Sequence, residues 1–163
     1  PLDSLAEKLK AITFYEGLGS VADKAERMAA LAGAIANHLD AADPGTARRA
    51  AVLAKVDLAS EMVGEFPELQ GIMGGYYATA AGEATDVADA LTQHYRPQGP
   101  SDEIPASLYG QIVALADKIE SKVGTDRTRA ATASLAKKTD SPLVAGWIKQ
   151  FFTIAAQRSG WAA

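Results

Sequence analysis

Cysteine is absent from this chain, which excludes a disulfide framework, thiolate metal ligation and a cysteine nucleophile. Histidine is scarce, with only His38 and His94. No apolar run approaches the roughly 18 residues that a membrane-spanning helix requires, and the N-terminus shows no signal-peptide pattern. These gaps predict a soluble, cytoplasmic chain with no membrane partner. Short catalytic signatures are missing as well. There is no phosphate-cradling GxxxxGK followed by Ser or Thr, no GxGxxG after a strand, no GxSxG elbow and no HExxH.

What is present favours packed helices. The 163 residues are 48% apolar but only 7% aromatic, and Ala supplies much of the difference. Ala loses no side-chain entropy on folding and lets helix axes approach closely. The net charge of −4 hides an asymmetry. Residues 1–121 hold nine Lys/Arg against eighteen Asp/Glu, whereas residues 122–163 hold seven against two. A basic end suits contact with phosphate; a solvated helix surface is the plainer reading of the same residues.

Apolar spacing predicts an all-α chain of about seven to eight helices, with no strand. Leu2, Leu5, Leu9, Ile12 and Phe14 follow a helical period, GLGS (17–20) interrupts it, and Ser20 suits the next N-cap. A second helix over 21–39 turns Val21, Met28, Leu31, Ala32, Ile35 and Leu39 to one face. After the turn ADPG (42–45), a third is expected from about Thr46 to Val63, with Val52, Leu53, Val56, Leu58 and Met62 inward. Leu69, Ile72, Met73, Tyr76 and Tyr77 then predict a helix, with the stripe Leu69, Ile72, Met73 and Tyr76 buried. Residues 84–95 and 106–123 read as further helices, separated by the loop RPQGPSDEIP (96–105), and Gly124 as a break. Two more are expected at about 127–137 and 142–158. The last carries Leu143, Val144, Trp147, Ile148, Phe151 and Phe152.

Gly71, Gly74 and Gly75 pose a question, since each costs about 1 kcal/mol relative to Ala inside a helix. Their spacing clears one stripe, either for a closely crossing helix or for the backbone of a nucleic acid or partner. Neither histidine has a second or third ligand at metal-binding spacing, and Asp40 and Asp43 after His38 form only a loose group. The histidines read as structural or solvent-facing.

LAKVDLASEMVGEFPELQGIMGGYYA (53–78) resembles a signature of the β subunit of bacterial heterotetrameric glycyl-tRNA synthetase. LAEKLKAITFYEGLGSVADKAERMAALAGAIA (5–36), HYRPQGPSDEIP (94–105) and VALADKIESKVG (113–124) are similar to segments of that family in the same order. The resemblance covers about residues 5–124 and implies a helical domain of the HD type, named after metal-dependent phosphohydrolases that use a His, a His-Asp dyad and a later Asp. Asp57 corresponds to the dyad Asp, but Val56 stands where the His belongs. Asp117 corresponds to the later Asp, and the first ligand position falls near Asp23 or Lys24. With both histidines missing, the resemblance implies no catalytic residue and no metal; Asp57 and Asp117 are expected to tie helices together through Lys55, Lys118 or helix termini. GEFPELQGIMG is expected to pack across the dyad-bearing helix. The family carries an Arg where this chain has Gly75.

The chain divides on this reading into a degenerate HD-like domain (1–124) and C-terminal basic helices (125–163) packed on the same domain. TDRTRAATASLAKKTDSPLVAGWIKQFF replaces the family's continuation, with KKTDSPLVA (137–145) as a diluted echo. The parent enzyme joins glycine to its tRNA with ATP and magnesium; this chain alone is expected to need no cofactor. Expected partners are glycine tRNA, the other β-subunit domains and the catalytic α subunit. Expected phosphate contacts are Arg48, Arg49, Arg96, Lys122, Arg127, Arg129, Lys137 and Lys138. A helical protein-interaction scaffold and a weak residual metal-dependent phosphohydrolase are the alternatives.

Overall fold

The structure, a computed structural model, describes residues 2–15, 18–99 and 101–125. Among the described residues there are seven α-helices: α1 (Leu2–Lys8), α2 (Val21–Ala36), α3 (Pro44–Leu53), α4 (Glu61–Glu65), α5 (Ile72–Ala80), α6 (Thr85–Gln93) and α7 (Leu108–Thr125). The helices expected at 127–137 and 142–158 lie outside the described residues. α2 packs on α3 and α7, and α6 packs on α5, α7 and α3. Met28, Leu31, Ile35, Leu53, Leu91, Ile112 and Val113 fill the space between them. Ala47, Ala50, Ala51 and Ala54 of α3 and the turn after it are almost wholly buried. Their helical spacing gives α3 a flat face on which neighbours sit closely.

Local chemistry fixes the helix starts. Ser20 and Asp23 form a reciprocal capping box on α2, with the Asp23 carboxylate accepting from Ser20 N at 2.7 Å and Ser20 Oγ accepting from Asp23 N at 3.2 Å. Asp43 caps α3 by accepting from Thr46 N at 2.6 Å, next to Pro44 in the first turn, where its missing N–H does no harm. Together such caps satisfy amides that the helix itself leaves orphaned.

The structure departs from the sequence reading at four places. A small antiparallel hairpin, β1 (Thr13–Tyr15) and β2 (Gly19–Ser20), stands where no strand was expected. Gly19 turns the chain with φ +87°, a region that other residues rarely adopt. The third helix ends at Leu53 rather than running to Val63. A 3-10 turn over Val56–Ala59 follows, and Ser60 caps α4. Lys55, Val56 and Asp57 are all buried; consecutive α-helical residues point about 100° apart, so one continuous helix could not turn all three to one interior. Met62 consequently ends up 43% exposed. Gly124 does not break α7, which continues to Thr125; glycine weakens a helix but still has the N–H its ladder needs.

The fourth departure concerns α5. Its buried residues are Gly74, Gly75 and Ala78, while Ile72 and Tyr76 are 43% and 67% exposed. A Cβ on Gly75 would lie 3.2 Å from the Ala88 carbonyl oxygen of α6 and would collide with Thr92. The small residues are therefore the packed face, Ile72 and Tyr76 are turned outward, and Tyr77 is partly buried against the core. The close crossing predicted from the glycines is real: α6 crosses at Gly75, and Asp57 of the turn after α3 meets the chain at Gly71 and Gly74.

Candidate functional site

Six ionisable side chains converge beneath α2, the turn after α3 and α7. Lys24 comes from α2, Lys55 and Asp57 from the turn after α3, His94 from the end of α6, and Asp117 and Glu120 from α7. Lys24, Lys55, Asp57, His94 and Glu120 are buried. Asp117 is the hub. Its Oδ1 lies 2.8 Å from Lys24 Nζ and its Oδ2 2.8 Å from Lys55 Nζ. Lys24 Nζ also contacts Glu120 Oε2 at 2.5 Å and donates to Ser121 Oγ at 2.7 Å. Arg27 Nε closes the group by donating to Glu120 Oε1 at 2.8 Å. Three cations thus pair with the carboxylates of Asp117 and Glu120, which is how buried charge is tolerated.

Aromatic rings line the same space. Lys55 Nζ sits 3.9 Å from the centre of the Tyr95 ring and Lys24 Nζ 4.6 Å from that of Phe14, within cation–π range. Burial pushes the Tyr95 hydroxyl above its ordinary range, with Asp57 and Asp117 adding to the effect.

His94 completes the cluster as a neutral group. Its Nδ1 lies 2.8 Å from the Leu91 carbonyl oxygen and its Nε2 2.9 Å from Lys55 Nζ. An ammonium has only protons to offer, so Nε2 accepts and Nδ1 carries the hydrogen. Complete burial, reinforced by the Lys55 charge, pulls His94 down to about 3. Burial opposes ionisation of Asp117, but Lys55 and Lys24 overcome it and hold this carboxyl well below the usual range. Burial pulls Lys55 downward and the Asp117 charge restrains it.

Asp57 has a different task. Its Oδ2 accepts from Gly71 N at 2.6 Å and from Gly74 N at 3.2 Å, capping α5 from a distant part of the chain. Gly71, at the N-cap with φ +80°, has no side chain to do so. A Cβ there would also come within 2.9 Å of the Tyr95 ring. Burial pushes the Asp57 carboxyl upward, and the two amides work against that. Its Oδ1 has no hydrogen-bond partner among the described residues.

This donor set does not suit a divalent ion. Both oxygens of Asp117 are held by ammonium groups, and Val56 is an apolar, fully buried neighbour of Asp57. Among the described residues, no His, Asp and Glu side chains group as metal ligands. A neutral imidazole with a pKa near 3 is also no proton shuttle at neutral pH. What the arrangement does is tie α2, α6 and α7 to the turn after α3.

Lys55 and a helix terminus thus hold Asp117 and Asp57 in place, whereas Lys118 Nζ instead donates to the Arg96 carbonyl oxygen at 3.0 Å. Sequence reasoning placed His94 outside the site, marked Lys24 only as lying near a ligand position that lacks its His, and assigned no role to Arg27, Glu120 or Tyr95. His38 is exposed, its Nδ1 3.1 Å from the Ala34 carbonyl oxygen.

The basic residues singled out for phosphate contact have unequal surroundings. Arg48 is exposed, with its guanidinium end as well as its stem lying over Gly33 of α2. Arg49 is engaged, with Nη1 2.9 Å from Asp3 and three further hydrogen bonds to Glu83. Arg96 lies 3.9 Å from Glu103. Lys122 belongs to α7, and Arg127, Arg129, Lys137 and Lys138 lie outside the described residues. Among the described residues no helix is long and apolar enough to cross a membrane.

Comparison with known proteins agrees with this segment order. The family model described as glycyl-tRNA synthetase beta subunit matches residues 1–133. The glycine–tRNA ligase beta subunit of Azotobacter vinelandii is 52% identical over 124 residues, covering 76% of this chain and 18% of that protein. The proteins of the same description from Pseudomonas aeruginosa and Phenylobacterium zucineum are 50% and 52% identical over 124 residues. They cover 76% and 75% of this chain, and 18% of each relative. The chain therefore spans about a fifth of the length of the curated relatives it matches. With the match extending over most of its residues, the chain belongs to the glycyl-tRNA synthetase β-subunit family.

Proposed function

We propose that this chain is the HD-like helical domain of a cytoplasmic glycine–tRNA ligase β subunit, and that it works there as a non-catalytic brace and auxiliary tRNA holder. The observation that carries this reading is the pair of ammonium groups on Asp117. Where a phosphohydrolase of this type would gather a metal, this chain's own lysines neutralise the carboxylates and fasten four segments. That arrangement suits a rigid support for neighbouring domains and gives residual hydrolase chemistry no support. Glycine activation, with ATP and magnesium, belongs on this reading to the α subunit.

Contact with tRNA would be electrostatic and directed at the backbone. Arg48 is better placed than Arg49, which is already engaged by Glu83 and Asp3. Lys122, Arg127, Arg129, Lys137 and Lys138 supply the rest. The test is binding of the chain to glycine tRNA at two salt concentrations, beside a non-cognate tRNA. Weak binding that falls with salt is expected, and Arg127→Gln with Arg129→Gln should lower the salt slope by about one unit per lost phosphate contact. Absence of binding at low salt would remove the tRNA-holding part and leave the bracing role.

A second reading, a protein-interaction scaffold, is favoured by one observation: Met62, Phe66, Ile72 and Tyr76 are large, apolar and exposed.

A further inference from the structure

We propose that the face formed by α4, the Pro67–Leu69 turn and α5 is the docking surface for the chain's own aromatic segment, residues 142–158. Met62, Phe66, Ile72 and Tyr76 are the exposed large hydrophobics among the described residues, and all fall between positions 62 and 76. Apolar groups gathered in this way mark a contact surface. Beside them α5 and α6 form a groove of about 250 Å³, lined by Ile72, Gly75, Tyr76, Ala88, Asp89 and Thr92 among others.

Charge selects the occupant. Residues 56–95 contain no Lys or Arg. Exposed Glu61, Glu65 and Glu68 stand among the apolar residues of the patch, and Asp89 lines the groove. An acid-rimmed apolar face repels a nucleic-acid backbone and suits an apolar segment with basic flanks. Residues 142–158 meet that description. Leu143, Val144, Trp147, Ile148, Phe151 and Phe152 recur at helical spacing, Lys149 and Arg158 accompany them without any acidic residue, and Lys137 and Lys138 precede them.

Reach is no obstacle. Residues 126–141 can extend to roughly 50 Å at about 3.3 Å per residue, more than the diameter of a domain of this size, on the order of 35 Å. Tethering also raises the effective concentration of the segment at the face far above that of a free partner. Arg127 and Arg129 have no part in the proposed contact, so the inference stands whether or not the chain touches RNA.

The chain has only two tryptophans, Trp147 and Trp161, so indole fluorescence of the full chain reports on this region alone. In a Trp161→Phe background, Trp147 should emit as a buried indole and resist acrylamide. Phe66→Glu with Tyr76→Glu alters only exposed side chains. It should shift emission to the red and raise quenching severalfold, with unchanged far-ultraviolet circular dichroism. Lys149→Glu should act in the same direction, and adding Glu65→Lys with Glu68→Lys should restore the buried signal. A solvated Trp147 in the parent chain would overturn the proposal, as would a buried one indifferent to the patch variants. Burial that depends on protein concentration and accompanies a doubled mass would assign the face to a second copy instead.

Discussion

The carboxylate of Asp57 and the backbone amide of Gly71 meet at 2.6 Å across fourteen positions of sequence. This contact makes an acidic residue of one segment the N-cap of a helix that begins with glycine. Asp57→Ala leaves the amides of Gly71 and Gly74 without an acceptor and is expected to cost about 2–4 kcal/mol. Asp57→Asn keeps an oxygen at the same place and should cost about 1 kcal/mol. Urea unfolding of both variants tests this. Equal losses would show that the charge, not the acceptor, matters.

Acid should destabilise the domain through His94. The unfolded chain takes up this proton near 6.5 and the folded chain only near 3. Between those values the unfolded state binds more protons, so stability falls as pH falls, by about 1.4 kcal/mol per unit. Asp117, held low by Lys55 and Lys24, adds a loss below its unfolded pKa. Asp57, pushed up by burial, acts in the opposite sense. His94→Gln can still accept from Lys55 but cannot titrate. Comparing its unfolding free energy with that of the parent at several pH values between 6.5 and 4 isolates the histidine's share. Parallel curves would refute the assignment.

Removing one lysine from the buried cluster should be severe. Lys24→Met leaves Glu120 dependent on Arg27 and one oxygen of Asp117 with only a long 3.4 Å hydrogen bond from Ser121 Oγ, for an expected loss of about 3–5 kcal/mol. Replacing Glu120 by Gln in the same chain should recover part of that loss, because the uncompensated charge goes with it. A double-mutant cycle on thermal or urea unfolding measures this coupling directly. Additive losses would mean that the two residues act separately.

Two glycines should respond in opposite directions to the same substitution. Gly71→Ala forces a Cβ toward Tyr95 at a positive φ and is expected to cost about 2 kcal/mol or more. Gly64, inside α4, has nothing within 4 Å of the Cβ position. Gly64→Ala should therefore stabilise by about 0.5–1 kcal/mol. Thermal unfolding of the pair decides whether the tight spot at Gly71 is conformational or merely local flexibility.

Much of the fold was legible because it is written locally. The period of Met28, Leu31, Ala32 and Ile35 defined the buried face of α2, and Ser20 announced its start. The presence of a close crossing at Gly74 and Gly75 could be read from side chains that are missing. Which helix crossed there could not, since the contact with Ala88 and Thr92 is made by a separate helix. The same limit hid the hairpin, whose few residues have no period to detect. The resemblance pointed to the tie between Lys55 and Asp117, 62 positions apart, but the rest of the buried cluster stayed hidden, in which Lys24 meets Glu120 across 96 positions. A lysine reads as solvated until its partners are placed around it. His94 gave no signal beyond its rarity, because its role depends on Lys55, 39 residues away.

The paired lysines on Asp117 also settle what this centre consists of. Its counter-ions are covalent parts of the polypeptide, supplied in fixed ratio with every chain made. They cannot be leached by a chelator, exchanged for a competing ion or withheld by scarcity. Charge neutralisation here is therefore unimolecular, complete once the chain closes and independent of the ionic supply around it.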